Sequence, residues 1–145
     1  MAKRLRSSLK NEERTVRYLT LEQILFIHED QIDRYGGSQG LRDLALLESA
    51  VFRPQTTFGG FDLYRTLFDK AASLMHSLIL NHPFIDGNKR TGMVSTFVFL
   101  ELNGYRAKIE QNEVITTAME IESKKFNIEK IADWLKTNSK DIKKY

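Results

Sequence analysis

The chain has no cysteine and no long apolar run among its 145 residues. The lack of cysteine excludes disulfide bonds, thiolate metal sites and a cysteine nucleophile, and it slightly favours a reducing compartment. No apolar segment approaches the roughly 18 to 20 residues of a membrane span, and the N-terminus lacks the apolar region of a signal peptide. We therefore expect a soluble, unprocessed cytoplasmic protein with no membrane partner.

Positive charge is concentrated at the N-terminus. Residues 1–18 contain six Lys or Arg and two Glu, a net charge of +4, so the other 127 residues carry −1 of the total of +3. A basic end can bind phosphates without sequence specificity, but it is more typical of a solvated terminus. We predict that 1–18 is a basic extension without direct nucleic-acid binding. Residues 19–145 are predicted to form one domain, because this length suits a single core.

Apolar residues recur at helical spacing through most of this domain. Thr20 and Gln23 are typical of a capping box, which begins a first helix that ends near Tyr35. The same spacing predicts five more helices, at about 43–52, 61–80, 88–102, 112–121 and from 127 into the basic tail. The sequence thus predicts an all-α fold of about six helices around a central one.

Four details of this predicted fold concern its core, its connections and its helix caps. The helix at 88–102 is apolar on nearly every side, so we expect it at the centre of the core. Residues 55–60 contain β-prone side chains and two glycines, which predict a small hairpin flap that guides substrate. Residues 105–109 are predicted to be a short extended segment. Asn112 and Asn127 are the predicted caps of the last two helices.

The nine residues His-Pro-Phe-Ile-Asp-Gly-Asn-Lys-Arg at 82–90 connect two predicted core helices. Free N–H groups and the positive end of the helix dipole make the start of the second helix a site for anions. Asp86 is the kind of oxygen ligand that Mg²⁺ prefers, since this ion takes one or two carboxylates and completes its shell with phosphate and water. His82 can take a proton from an attacking hydroxyl.

The residues after Asp86 are suited to phosphate. Gly87 lets the backbone approach a ligand, and the N–H groups of Asn88, Lys89 and Arg90 fall at the helix start. The side chains of Lys89 and Arg90 add positive charge that neutralises a transferring phosphoryl group. The simplest chemistry for this loop is direct transfer of a phosphorus-containing group from a nucleotide to a hydroxyl.

The loop resembles the motif of the Fic/Doc family, His-x-Phe-x-(Asp/Glu)-(Gly/Ala)-Asn-x-Arg. Every fixed position is matched, by His82, Phe84, Asp86, Gly87, Asn88 and Arg90. Upstream segments are similar to the death-on-curing (Doc) branch, namely Arg34-Tyr35-Gly36-Gly37, Gly40-Leu41-Arg42-Asp43, Leu47-Glu48-Ser49-Ala50-Val51 and Arg53-Pro54-Gln55. The likeness covers about 19–135, and the basic extension lies outside it.

The resemblance implies a role for each matched residue. His82 would be the general base on the target hydroxyl, Asp86 the Mg²⁺ ligand and Phe84 a core anchor for the loop. The residues implied to bind phosphate are Gly87, Asn88 and Arg90.

Lys89 and Met93 distinguish two kinds of transfer within the family. AMP-transferring members usually have Gly in place of Lys89 and a second Arg in place of Met93, whereas Doc-like members carry Lys. The Doc resemblance implies a reversed nucleotide and transfer of the γ-phosphoryl group of Mg-ATP to a threonine of translation elongation factor Tu, which arrests translation. We predict such a toxin kinase. Protein AMP transfer is the first alternative.

The second alternative is a noncatalytic module that binds nucleotide or a partner through the loop. The presence of both His82 and Asp86 argues against it, because such a module needs neither a base nor a metal ligand. His28 and His76 lie in helical patterns and are predicted to be partly buried, with local partners, rather than part of the site.

Regulation is predicted to come from another chain. Many Fic enzymes are silenced by a Ser/Thr-x-x-x-Glu-Gly/Asn helix whose glutamate pairs with the second arginine, but Met93 occupies that position here. The nearest sequences, at 8–13 and 116–121, lack the final residue of the motif. We predict no internal inhibition, and instead a Phd-like antitoxin whose flexible segment folds into a groove on this protein.

Overall fold

The computed structural model describes residues 15–143, which form six α-helices and two short antiparallel strand pairs. The helices α1 to α6 are Leu21–Tyr35, Leu44–Phe52, Leu67–Leu80, Asn88–Leu102, Gln111–Glu122 and Ile128–Thr137. The strands β1 to β4 are Thr57–Phe58, Phe61–Asp62, Tyr105–Ala107 and Ser139–Asp141, with β1 paired to β2 and β3 to β4. The predicted all-α fold with a small hairpin is confirmed. In the described range no helix is long and apolar enough to cross a membrane.

Side-chain caps explain where several helices begin. The predicted capping box of Thr20 and Gln23 is present at α1, and Asn127 accepts a hydrogen bond from the backbone of Lys130 at the start of α6. The prediction for α5 was wrong by two residues, because the cap position is Glu110 rather than Asn112 and it makes no side-chain capping bond.

Helix α3 begins later than the apolar spacing predicted. Thr66 caps it through a capping box with Asp69, whereas residues 61–66 complete the hairpin and the turn that follows. Lys70 explains this arrangement, since its side chain is 2% exposed and its ammonium group donates to the Asp62 carboxylate at 3.1 Å and to the Tyr64 carbonyl. A buried charge requires such partners, so Lys70 fixes the hairpin to α3.

The helix at the centre of the fold is α3 rather than α4. Helix α3 packs against every other helix except α1 and also against the 3₁₀ turn at Arg53–Gln55. Helix α4 approaches it closely at Gly92, where a Cβ atom would lie 2.8 Å from Ile79 Cγ1. The apolar side chains of Val98 and Leu102, in contrast, are 36% and 41% exposed. The prediction for α4 was wrong because part of its apolar surface faces solvent.

Both ends of the described range are attached to the body. Val16 and Tyr18 pack against the core, and the backbone of Arg17 exchanges two hydrogen bonds of 2.9 Å with the side chain of Asn103. Part of the predicted basic tail forms β4, which pairs with the predicted extended segment at β3. Residues 1–14, which hold most of the predicted basic extension, lie outside the described residues, and its boundary at residue 18 stays a prediction.

Candidate active site

The loop between α3 and α4 has the predicted arrangement, a turn that leads into a helix N-terminus. Gly87 occupies the N-cap position with φ of 77°, a left-handed conformation that favours glycine. A Cβ atom there would lie 2.9 Å from Ile32 Cδ1. The left-handed conformation and this short distance both favour glycine at residue 87. As at any helix start, the first N–H groups of α4 have no partners inside the helix.

Phe84 anchors the loop in the core, as the family resemblance implied. Its side chain is 2% exposed and stacks on the ring of His28, with 3.7 Å between centroids. Asn88 closes the loop from the other side, because its amide bonds both the N–H and the carbonyl of Phe84. The side chain of Asn88 is thus occupied, and phosphate binding by this residue stays a prediction that rests on its backbone N–H.

His28 has a different role from the one predicted. It is 3% exposed, and its Nε2 atom donates to the carbonyl of Asp86 at 2.7 Å. We expected a partly buried histidine with local partners, but the partner lies 58 residues further along the chain. Helical spacing placed His28 on the inner face of α1, yet spacing alone does not reveal what that face contacts.

Arg42 holds the backbone of His82, a contact that the sequence did not indicate. Its guanidinium group donates to the carbonyl of His82 at 2.6 Å and to that of Asn81 at 2.8 Å. His82 has φ of 47°, a conformation that non-glycine residues rarely adopt without support. Its side chain is 45% exposed, so the backbone is held while the imidazole stays accessible.

Asp86 presents an ionised carboxylate beside Gly37 and Ser38. Hydrogen bonds from the backbone N–H of Ser38, at 3.1 Å, and of Gly87, at 2.8 Å, lower the pKa of Asp86, and the charge of Arg90 lowers it further. Gly37 lies so close that a Cβ atom there would be 2.7 Å from the Asp86 carboxylate. Mg²⁺ commonly takes one or two protein carboxylates and completes its shell with phosphate and water, so the exposed carboxylate of Asp86 fits this ion.

The side chain of Arg90, a residue of α4, reaches the C-terminal end of α1. Its guanidinium group donates to the carbonyl of Gly36 at 2.8 Å and to that of Gln31 at 3.4 Å. A cation there also interacts favourably with the negative end of the helix dipole. Because a guanidinium group has five N–H donors, these two bonds leave others for a ligand. The predicted binding of phosphate by Arg90 stays a prediction.

Lys89 and His82 lie close to a carboxylate that the sequence analysis missed. The ammonium group of Lys89 is 3.2 and 3.1 Å from the two oxygens of Glu122, and His82 Nε2 is 3.9 Å from the nearer of them. Glu122 is the last residue of α5, 32 residues beyond the motif. No pattern in the sequence indicated that this helix end reaches the loop.

Other acidic groups lie behind the loop. A cavity of about 420 Å³ has His28 and Phe84 in its wall, together with Glu29 and Asp33 of α1. None of the residues predicted to bind metal or nucleotide lines this cavity. Two carboxylates repel phosphate, so this cavity does not favour an anion.

Met93, the residue in place of the second arginine, is 3% exposed and belongs to the core. It lies on the second turn of α4, and its burial among apolar side chains leaves no ligand-binding group at this position.

Together the fold and the loop define a class of helical protein, one in which a histidine, an ionised aspartate and cationic side chains surround the start of a core helix. The chain belongs to the Fic/DOC family, whose model matches residues 18–100.

Two curated proteins show which branch of the family this is. The chain is 43% identical over 98 residues to "Toxin Doc" of Mycolicibacterium smegmatis, a match that covers 61% of this chain and 75% of that protein. It is 26% identical over 121 residues to "Protein kinase doc" of Escherichia phage P1, with 83% and 94% covered. The similarity is thus to the Doc branch, as the upstream segments predicted.

Proposed function

We propose that this protein is a Doc-like toxin that transfers the γ-phosphoryl group of Mg-ATP to a hydroxyl of a target protein. The observation that carries this proposal is the loop itself, which presents the partly exposed imidazole of His82 and the ionised carboxylate of Asp86 just before a helix N-terminus. A base, a metal ligand and an anion site are the parts that phosphoryl transfer requires.

In this proposal each residue of the loop has a separate role. Asp86 would hold Mg²⁺, which supplies charge neutralisation of the phosphates when bound. The N–H groups at the start of α4 and the side chains of Lys89 and Arg90 bind and orient the phosphates. His82 takes the proton from the target hydroxyl. The hydroxyl oxygen forms a bond to the γ-phosphorus, the bond from that phosphorus to the β–γ bridging oxygen breaks, and ADP leaves.

Three observations favour phosphoryl transfer over AMP transfer. Lys89 adds a side chain where AMP-transferring members usually have glycine, and Met93 is buried where they have a second arginine. The relative from phage P1 carries the name "Protein kinase doc". A threonine of translation elongation factor Tu is the proposed target, with arrest of translation as the consequence.

The position of the label on ATP tests the reaction. The purified chain is incubated with bacterial lysate or purified elongation factor Tu, Mg²⁺ and ATP labelled at either the γ or the α phosphate. We expect label on protein only from the γ position. We also expect His82→Ala to reduce transfer by about 10² to 10⁴-fold, the usual contribution of a general base.

Three results would contradict parts of this proposal. Label from the α position alone would establish AMP transfer. Label from neither position, with no difference between His82→Ala and the wild type, would favour a noncatalytic binding module. Label on other lysate proteins but not on elongation factor Tu would exclude the proposed target while retaining the kinase.

Control by a Phd-like antitoxin is the remaining part of the proposal. One relative carries the name "Toxin Doc", and Met93 is buried, so the arginine that an internal inhibitory glutamate would pair with is missing. We expect the isolated full-length chain to be active. An inactive chain that becomes active when residues 1–18 are deleted would contradict this expectation.

A further inference from the structure

The carboxylate of Glu122 lies between two cationic groups of the proposed site. Both of its oxygens bond the ammonium group of Lys89, at 3.2 and 3.1 Å. The oxygen at 3.1 Å is also the one that lies 3.9 Å from His82 Nε2. All three side chains are partly exposed, between 36% and 45%, so they meet at the surface where a target hydroxyl arrives.

Nothing in α5 itself accounts for a carboxylate at this position. Glu122 is the last residue of that helix, and the last turn contains no basic residue. Negative charge there is unfavourable because the C-terminal end of a helix is the negative end of its dipole. The favourable interactions of Glu122 are therefore with Lys89 and His82, which come from a different part of the chain. Residue 122 also lies outside the range that the family model matches.

The charge on His82 changes during the proposed reaction. A neutral imidazole at 3.9 Å is too distant for a hydrogen bond with Glu122. When His82 takes the proton of the target hydroxyl, it becomes a second cation close to Lys89, and the two like charges repel each other. A carboxylate between them offsets that repulsion and attracts the new charge. This attraction grows only as the proton moves, which is the kind of interaction that raises kcat.

We propose that Glu122 is a positioning residue for the transfer reaction. Its carboxylate holds Lys89 beside His82 and stabilises the protonated imidazole that proton transfer creates. The charged groups that face His82 are then Glu122 from α5, Lys89 from α4 and Arg42, which bonds the His82 backbone. This inference rests on the proposed function, because it requires that His82 accept a proton.

The test compares the kinetics of Glu122→Gln, Glu122→Asp and a control variant in the full chain, with purified elongation factor Tu or lysate protein as acceptor. Glu122→Gln removes the charge and keeps the shape, and it should lower kcat roughly fivefold, the size expected from a half-exposed ion pair. The KM for ATP should change less than kcat, because the charge on His82 develops only after ATP is bound. Glu122→Asp keeps the charge and should recover about half of the lost rate.

Glu113→Gln is the matched control. It removes the same charge from an exposed position of the same helix, about 13 Å along the axis from Glu122. We expect wild-type kcat and KM for this variant. Urea unfolding of all the variants verifies that each is folded under the assay conditions.

Any different result would contradict either the inference about Glu122 or the proposed function. A higher kcat or a lower KM for ATP in Glu122→Gln would show that Glu122 competes with phosphate for Lys89. Unchanged kinetics would show that Glu122 has no role in the reaction. Either result would overturn the inference about Glu122 but not the proposed kinase activity. A drop in Glu122→Asp equal to that in Glu122→Gln would show that charge is not the cause. A wild-type chain that transfers no phosphoryl group would instead refute the proposed function, and the inference with it.

Discussion

Asn88 fastens the loop to its own backbone by bonding both polar backbone atoms of Phe84. Its side-chain oxygen accepts from the Phe84 N–H at 2.9 Å, and its side-chain nitrogen donates to the Phe84 carbonyl at 3.0 Å. A family resemblance assigns Asn88 to phosphate, but these bonds give its side chain a structural task. The shape of the loop between His82 and Asp86 therefore depends on a residue that follows both.

Asn88→Ala should destabilise the fold by about 1 to 2 kcal/mol, because it removes two partly buried hydrogen bonds that contribute roughly 0.5 to 1.5 kcal/mol each. Asn88→Asp should keep only the bond that the oxygen accepts. Urea unfolding measures both effects, and Asn112→Ala, at an exposed position early in α5, is the control. If Asn88→Ala matches the control in stability, the two bonds do not hold the loop.

Gly37→Ala should impair binding of Mg²⁺ and nucleotide more than Gly36→Ala does. Both glycines have positive φ, 118° and 88°, so alanine is strained by about 1 to 2 kcal/mol at either position. Only at Gly37 does the added Cβ meet the Asp86 carboxylate, at 2.7 Å, whereas at Gly36 nothing lies within 4 Å.

Titration calorimetry with Mg-ATP measures this difference between the two glycine variants. Because both variants carry backbone strain, the difference reports the displacement of Asp86 and of the Arg90 guanidinium group, which the Cβ atom at residue 37 would approach to 3.1 Å. Equal affinities in the two variants would contradict a role for Gly37 in leaving room for that carboxylate.

His28→Phe should preserve packing and weaken the site. Phenylalanine can keep the stack on Phe84, but it has no donor for the carbonyl of Asp86, which His28 bonds at 2.7 Å. Loss of this bond costs about 1 to 3 kcal/mol if the carbonyl finds no other partner. We expect a higher Mg²⁺ concentration for half-maximal transfer. A second variant, His28→Gln, retains a donor and should restore part of the affinity.

His76 should make the protein less stable in mild acid. Burial and then the charge of Arg53 lower the pKa of His76 from its ordinary value of 6.5. Below about pH 6.5 the unfolded chain binds a proton that the folded chain resists, so the free energy of unfolding falls as the pH decreases towards the lowered pKa and then levels off.

Urea unfolding between about pH 7.5 and 5, a range that brackets the ordinary histidine pKa, measures this decrease. His76→Gln removes the titrating group, so its stability should fall less steeply over that range than the wild-type stability. The variant keeps every other histidine of the chain, so the difference between the two slopes isolates the contribution of His76. Parallel slopes would show that His76 does not contribute to the pH dependence.

Local patterns in the sequence predicted the helices where the interactions are also local. The capping box of Thr20, the cap at Asn127 and the helix start after Gly87 involve residues only a few positions apart, so they can be recognised from spacing. The start of α3 was predicted too early because Lys70 takes its partners from the hairpin. The centre of the fold was misassigned because apolar composition alone does not show that Val98 and Leu102 of α4 remain partly exposed.

The sequence by itself determined the candidate base, metal ligand and anion site, because His82, Asp86 and the start of α4 lie within nine consecutive residues. Only the tertiary structure revealed what holds them: His28 at the Asp86 carbonyl, Arg42 at the His82 carbonyl and Glu122 beside Lys89. These partners are 30 to 60 positions away, and two of them bond backbone carbonyls, which every residue possesses. Such contacts cannot be recognised from the spacing of residues in the sequence, since they depend on which helix faces the loop after folding.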